Sequence, residues 1–282
     1  MTSFKDWKSG IVHTNKSLRL AVKHFHHNPC EALMIYGNFS NWDVSEVTDM
    51  QGLFSHNYDF NEDISTWDVS RVINMKSMFY GASKFNQDIS RWNVSKVTDM
   101  QGLFCGASKF NQDISRWNVS QATNMGSMFQ GASKFNQDIS RWDVSQATNM
   151  GSMFQGASEF NQDISRWDVS QVSNMNFMFL NAYKFNQDIS VWNVSMVIGK
   201  IKMFQHGPID TGLEYFAKTI HDFFKSPQIF MDIRKMYAWQ RRKNFTMFLV
   251  HYGYFSYLGR YSDTTNHIFD IFDIDRMIME FV

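Results

Sequence analysis

The chain carries a pattern of apolar positions that returns every 25 residues along most of its length. Phenylalanine, isoleucine, tryptophan, valine and methionine keep fixed places within each unit, and residues 135–159 form the most regular one. A unit of this size cannot bury its apolar side alone, so neighbouring units must stack. The pattern predicts a solenoid of seven coils with a buried tryptophan in each. These residues are Trp42, Trp67, Trp92, Trp117, Trp142, Trp167 and Trp192.

Two segments within the unit show different periods. Residues 138–145 alternate apolar and polar side chains, which predicts a strand. Residues 149–157 place methionine, phenylalanine and alanine at steps of three and four and end beside glycine, which predicts one or two helical turns. A short strand and a short helix in each 25-residue coil define a leucine-rich-repeat-like (LRR-like) solenoid.

The sequences flanking the array lack its period. We predict an N-terminal helical cap over residues 1–41, the solenoid over 42–207 and a C-terminal all-α domain over 208–282. In the cap, Ser17 is expected to begin one helix, while Pro29 and Gly37 are expected to begin and end a second. The C-terminal segment contains 17 aromatic residues among 75, more than a plain cap requires.

The repeated run Phe-Asn-Gln-Asp-Ile-Ser-x-Trp-Asp-Val-Ser resembles the BspA-type leucine-rich-repeat surface-protein family, which is also met in mycoplasma lipoproteins. Similar arrays are abundant in large DNA viruses of protists and algae. The resemblance covers about residues 17–205, and it implies an LRR-like solenoid with a binding role. Secreted bacterial members of the family carry an export signal. None is recognised at this N-terminus, which favours the viral relatives.

The charge and composition of the chain limit the classes of partner that it is expected to bind. Lys plus Arg and Asp plus Glu both number 27, so no net field attracts nucleic acid or an anionic membrane. The sequence contains no run of 18 apolar residues, so it predicts no membrane span. The two cysteines form no disulfide framework. We expect a virion location if the protein is viral and a cytoplasmic one otherwise.

An aspartate recurs three residues after each repeated phenylalanine. Stacked carboxylates could bind Ca²⁺, but the glycine frame of calcium-binding coils is absent. An aspartate beside a turn instead accepts hydrogen bonds from backbone N–H groups. After each tryptophan Asp exchanges with Asn, which favours the same structural role there. We therefore expect no metal and no cofactor. The aspartate column comprises Asp63, Asp88, Asp113, Asp138, Asp163 and Asp188.

Other polar columns allow a structural and a functional interpretation. Arginine precedes tryptophan in four units and lysine precedes phenylalanine in four, so either stripe could meet an acidic partner, although a solvated stripe is favoured. The asparagine after each phenylalanine is expected to point inward and satisfy backbone groups. His24, His26, His27 and Cys30 lie close in sequence but match no zinc spacing.

No nucleophile motif, phosphate loop or metalloprotease motif is present, so we predict no enzyme and no small-molecule substrate. The predicted function is a protein–protein interaction scaffold, as a structural or attachment component of a large DNA virus particle. An intracellular adaptor that binds host proteins is the alternative, and an enzyme within 208–282 ranks last. The partner is expected chiefly at aromatic and basic residues of that segment, with protein favoured over nucleic acid. They are Tyr237, Trp239, Arg241, Arg242, Tyr254, Phe255 and Tyr257.

Overall fold

The computed structural model describes residues 12–199 and 203–204. Helix α1 spans Asn15–His27, helix α2 spans Pro29–Tyr36, and a 3-10 helix spans Phe39–Asn41. After them the chain winds into coils of 25 residues, each joined to the next by one parallel β-bridge between equivalent residues, such as Asn124 and Asn149. The predicted solenoid and the predicted N-terminal helices are therefore present.

One continuous hydrophobic core runs the length of the coils. It is built of columns, because each apolar position of the repeat lies against its equivalent in the next coil. Phe129 and Phe135 stack within one coil with ring centroids 3.9 Å apart, and Phe129 lies 5.7 Å from Phe154 of the next coil. The two phenylalanine columns are at most 4% exposed, as predicted.

The strand and helix predicted inside each coil were wrong, because most of the inter-coil backbone hydrogen bonds lie in the segment predicted to be helical. We call them the inter-coil ladder. The N–H groups of Ser127, Phe129 and Gly131 donate to carbonyl oxygens of the following coil at 2.7–2.9 Å. The intervening N–H groups donate three residues back within their own coil. The described coils contain no α-helix, since every second N–H group is used between coils.

This chain of turns imitates the spacing of a helix. The turns from Met125 to Met128 and from Phe129 to Ala132 each close with an N–H to carbonyl bond across three residues. Their third residues, Ser127 and Gly131, have φ of 56° and 69°, as a type II turn requires. The inward apolar side chains are therefore Met125, Met128, Phe129 and Ala132. Their positions i, i+3, i+4 and i+7 are those of one face of a helix.

The segment predicted to be a strand is a pair of turns. The Trp142 N–H donates to the Ile139 carbonyl and the Ala147 N–H donates to the Val144 carbonyl, which turns the chain twice in succession. The period-two alternation of this segment therefore comes from two turns in tandem. No strand longer than a single bridge is present within residues 12–199.

Helix α1 closes the N-terminal end of the solenoid. Its N-cap is Thr14, with Ser17 completing a capping box three residues on, so the predicted cap at Ser17 lay three residues too late. The Asn15 side-chain oxygen accepts the backbone N–H of Thr48 at 2.9 Å. In later coils the equivalent N–H donates to the preceding coil, as that of Ile73 does to the Thr48 carbonyl. The Asn15 side-chain oxygen therefore takes the place of the backbone carbonyl that a preceding coil would supply.

Candidate interaction surfaces

The tryptophan column holds adjacent coils together through its ring nitrogens. All seven tryptophans are 2–4% exposed, as predicted. The Nε1–H of Trp142 donates to the Ile114 carbonyl of the preceding coil at 3.1 Å, and that of Trp167 donates to the Ile139 carbonyl at 3.1 Å. These side chains belong to the core and hydrogen-bond adjacent coils to each other, so they offer no surface to a partner.

The aspartate column makes turns. The Asp88 side-chain oxygen accepts the Ser90 backbone N–H at 2.9 Å, and the same bond recurs from Asp63 to Asp188. The Ser90 N–H and hydroxyl, with a smaller contribution from the charge of Arg91, hold the pKa of Asp88 below its ordinary value. Each carboxylate oxygen bonded in this way serves its own coil.

The residue after each tryptophan uses the same geometry with either side chain. Asp143 accepts the Ser145 N–H at 3.1 Å, and Asn118 accepts the Ser120 N–H at 3.1 Å. The oxygen of an amide and that of a carboxylate are equivalent for this bond, which explains the Asp–Asn exchange.

The asparagine column predicted to point inward lies at the surface instead. The Asn111 side-chain oxygen accepts the Asn136 backbone N–H at 2.9 Å, and the Gln137 amide donates to the Asn111 carbonyl at 2.9 Å. The predicted role of satisfying backbone groups is correct, but the groups belong to the next coil rather than to the interior. Asn61, Asn86 and Asn186 are exposed, and Asn111, Asn136 and Asn161 are half-buried.

The charged stripes differ in how they are paired. Lys84 forms an ion pair with Asp59 at 2.7 Å, and Lys184 forms one with Glu159. Four exposed arginines form no ion pair or hydrogen bond with the described residues. They are Arg91, Arg116, Arg141 and Arg166.

The residues weighed above as metal ligands do not gather into a metal-binding cluster within the described residues. Within residues 12–199 and 203–204 no cluster of three or more His, Cys, Asp or Glu side chains could hold a metal ion. His24 faces Glu31 at 3.3 Å, and Cys30 is an exposed free cysteine. Cys105 is buried, and its burial raises the pKa of the thiol to about 11.

In the described residues, the large exposed apolar side chains lie between Val12 and Tyr80 and between Tyr183 and Ile198. At the N-terminal end they include Met34 and Ile35 of α2 and Tyr58. At the C-terminal end they are Tyr183, Val191, Met196 and Ile198. Between Tyr80 and Tyr183 no large apolar side chain is exposed, so the middle coils present a polar surface.

Tyr58, Tyr80, Val191 and Met196 all differ from the residues that most units carry at the same positions. The predicted partner-binding residues Tyr237, Trp239, Arg241, Arg242, Tyr254, Phe255 and Tyr257 lie outside the described residues, as does the segment 208–282. Within the described part, no helix is long and apolar enough to cross a membrane.

These features define a repeat protein whose 25-residue coils are joined to one another by hydrogen bonds from the backbone and from asparagine and tryptophan side chains. The model of the family described as "Mycoplasma protein of unknown function, DUF285" matches residues 23–137 and 113–211, about two thirds of the chain. The chain belongs to this family. No curated protein and no solved structure matches it.

Proposed function

We propose that this protein is a non-enzymatic protein–protein interaction scaffold in which the coils act as a spacer between two end surfaces. The restriction of large exposed apolar side chains to the ends carries the proposal. Contiguous exposed apolar surface usually marks an interface. The middle coils, by contrast, use their polar side chains to bond one another, and repeats four and five (residues 110–133 and 135–158) differ at a single position.

Helix α2 supplies the larger surface at the N-terminal end. Only Ala32 of this helix is buried. Leu33, Met34 and Ile35 are 43%, 70% and 40% exposed. Covering the exposed part of these side chains would favour a contact, since an apolar side chain of this size gains about 1.5–3 kcal/mol between full exposure and full burial.

The setting we propose for this scaffold is a large DNA virus particle, where it would serve as a structural or attachment component. This setting rests on the resemblance of the repeats to viral arrays. An intracellular adaptor for host proteins uses the same end surfaces. Mass spectrometry of purified particles separates the two, because an adaptor would be absent from the particle.

A one-period deletion tests the spacer. Removing residues 110–134 joins Lys109 to Phe135 and keeps every column in register, so the variant should fold and retain the partner captured by the full chain. Met34→Glu on α2, or Trp239→Ala in the predicted contact segment, should weaken capture of that partner. Arg116→Gln, in a middle coil, is the control and should leave capture unchanged. If the deletion variant folds but loses the partner while both end variants keep it, the coils themselves are the binding site.

A further inference from the structure

The last coil carries an apolar surface that the coils before it lack. Val191, Met196 and Ile198 are 67%, 57% and 89% exposed, and we call them the terminal patch. The equivalent residues of the preceding coil are Arg166, Gln171 and Ser173. The three coils before that also have only polar residues at these positions. Apart from Ile73, these three columns are polar in every earlier coil, and all three become apolar together in the coil that adjoins the non-repeating segment.

We propose that the terminal patch is the docking surface for this chain's own segment 208–282, which closes the solenoid at its C-terminal end. A solenoid end needs a cover, because a terminal coil has no neighbour to bury its outer side, and the patch lies on the lateral surface of that same coil. The N-terminal end shows the solution within this chain. There, α1 buries Leu18, Ala21 and Val22 against the first coil, and Asn15 replaces the missing backbone partner.

The chemistry and the tether both fit this occupant. The 17 aromatic residues of segment 208–282 provide apolar surface complementary to Val191, Met196 and Ile198. Phe204 still packs in the core, so only residues 205–207 separate the coil from the segment, and the start of the segment lies within about 14 Å of Phe204. A short tether of this kind holds the segment at an effective concentration of about millimolar. A second copy of the chain or a separate partner would have to compete with that.

The test restores the surface of the preceding coil in the full chain. The triple variant Val191→Arg, Met196→Gln, Ile198→Ser takes its residues from the same columns, so the coil can keep its fold. The matched control is Ile73→Thr, the same column in an early coil. Hydrogen exchange followed by mass spectrometry should show amides of 208–282 exchanging at least about tenfold faster in the triple variant, with residues 110–160 unchanged. The control should resemble the wild type.

Three results would overturn the proposal. The first is equal exchange of 208–282 in the wild type and the folded triple variant. The second is wild-type exchange of that segment as fast as in an unstructured chain. The third is a wild-type dimer, seen by light scattering, that becomes a monomer in the triple variant while hydrogen exchange in 208–282 stays the same. In that case a second copy of the chain covers the patch.

A crosslinking experiment keeps the proposal testable if the triple variant fails to fold. A benzophenone amino acid at position 198 of the otherwise unchanged full chain should crosslink to 208–282 within the same molecule. The same group at position 73 should not reach that segment. Crosslinks from position 198 that join two chains, or that never reach 208–282, would refute intramolecular docking. Neither readout involves a binding partner, so this proposal can fail while the scaffold function stands.

Discussion

Replacing Trp142 with alanine is expected to destabilise the solenoid more than any surface change. Trp142 is 4% exposed and lies in a middle coil, where neighbours exist on both sides. Its ring is stacked at 6.4 Å on Trp167 and lies 6.2 Å from Phe129. The surrounding columns are held by inter-coil hydrogen bonds, which limits how far they can close over the space left behind.

The magnitude has two parts. Removing a buried tryptophan ring costs about 3–5 kcal/mol from lost transfer free energy and the cavity. The Nε1–H bond to the Ile114 carbonyl is lost as well. That carbonyl keeps a second donor, the Trp117 backbone N–H at 3.1 Å, so the additional cost is only about 0.5–1.5 kcal/mol. Trp142→Ala should therefore lower the free energy of unfolding by about 3.5–6.5 kcal/mol.

Urea unfolding followed by circular dichroism measures this loss, with Arg141→Ala as a control. Arg141 is the exposed neighbour of Trp142, and its replacement should change stability by no more than about 0.5 kcal/mol. Coils contact only their neighbours, so a weak middle coil can also split the transition into two. A single transition shifted by less than about 1.5 kcal/mol would show that the tryptophan column does not carry the packing assigned to it.

Two further predictions concern the turns. Asp88, Asp113, Asp138 and Asp163 have a lowered pKa in the folded state, so their contribution to stability is present above about pH 4 and is lost as the pH falls through the folded-state values. Replacing all four with asparagine should keep the turns and flatten the loss of melting temperature between about pH 4 and pH 2, and an unchanged slope would contradict this. Gly106 has φ 74°, and the Cβ of an alanine there would lie 3.3 Å from the Gly81 Cα, so Gly106→Ala should lower the free energy of unfolding by about 1–2 kcal/mol. Ser127→Gly, at a left-handed position that glycine tolerates, should lower it by less than about 0.5 kcal/mol. Equal losses in thermal unfolding would argue against the left-handed turn.

The sequence alone determined the period, the stacking and the buried columns. Tryptophan at an unbroken spacing of 25 residues can only reflect a position with the same surroundings in every coil. The turn role of the residues after tryptophan was also readable, because an exchange such as Asp143 for Asn118 retains only a side-chain oxygen acceptor. These conclusions depend on side-chain chemistry repeated many times, which the sequence records directly.

Only the tertiary structure decided which segment joins the coils. Inward side chains spaced by three and four residues fit a helix and a chain of type II turns equally well, and the two differ in whether alternate N–H groups bond within or between coils. The left-handed conformation of Ser127 carries no sequence signal of its own, since serine is not a residue that favours it. The degree of exposure of each column also became known only from the structure, because a repeat pattern identifies a column but not how much of it solvent reaches.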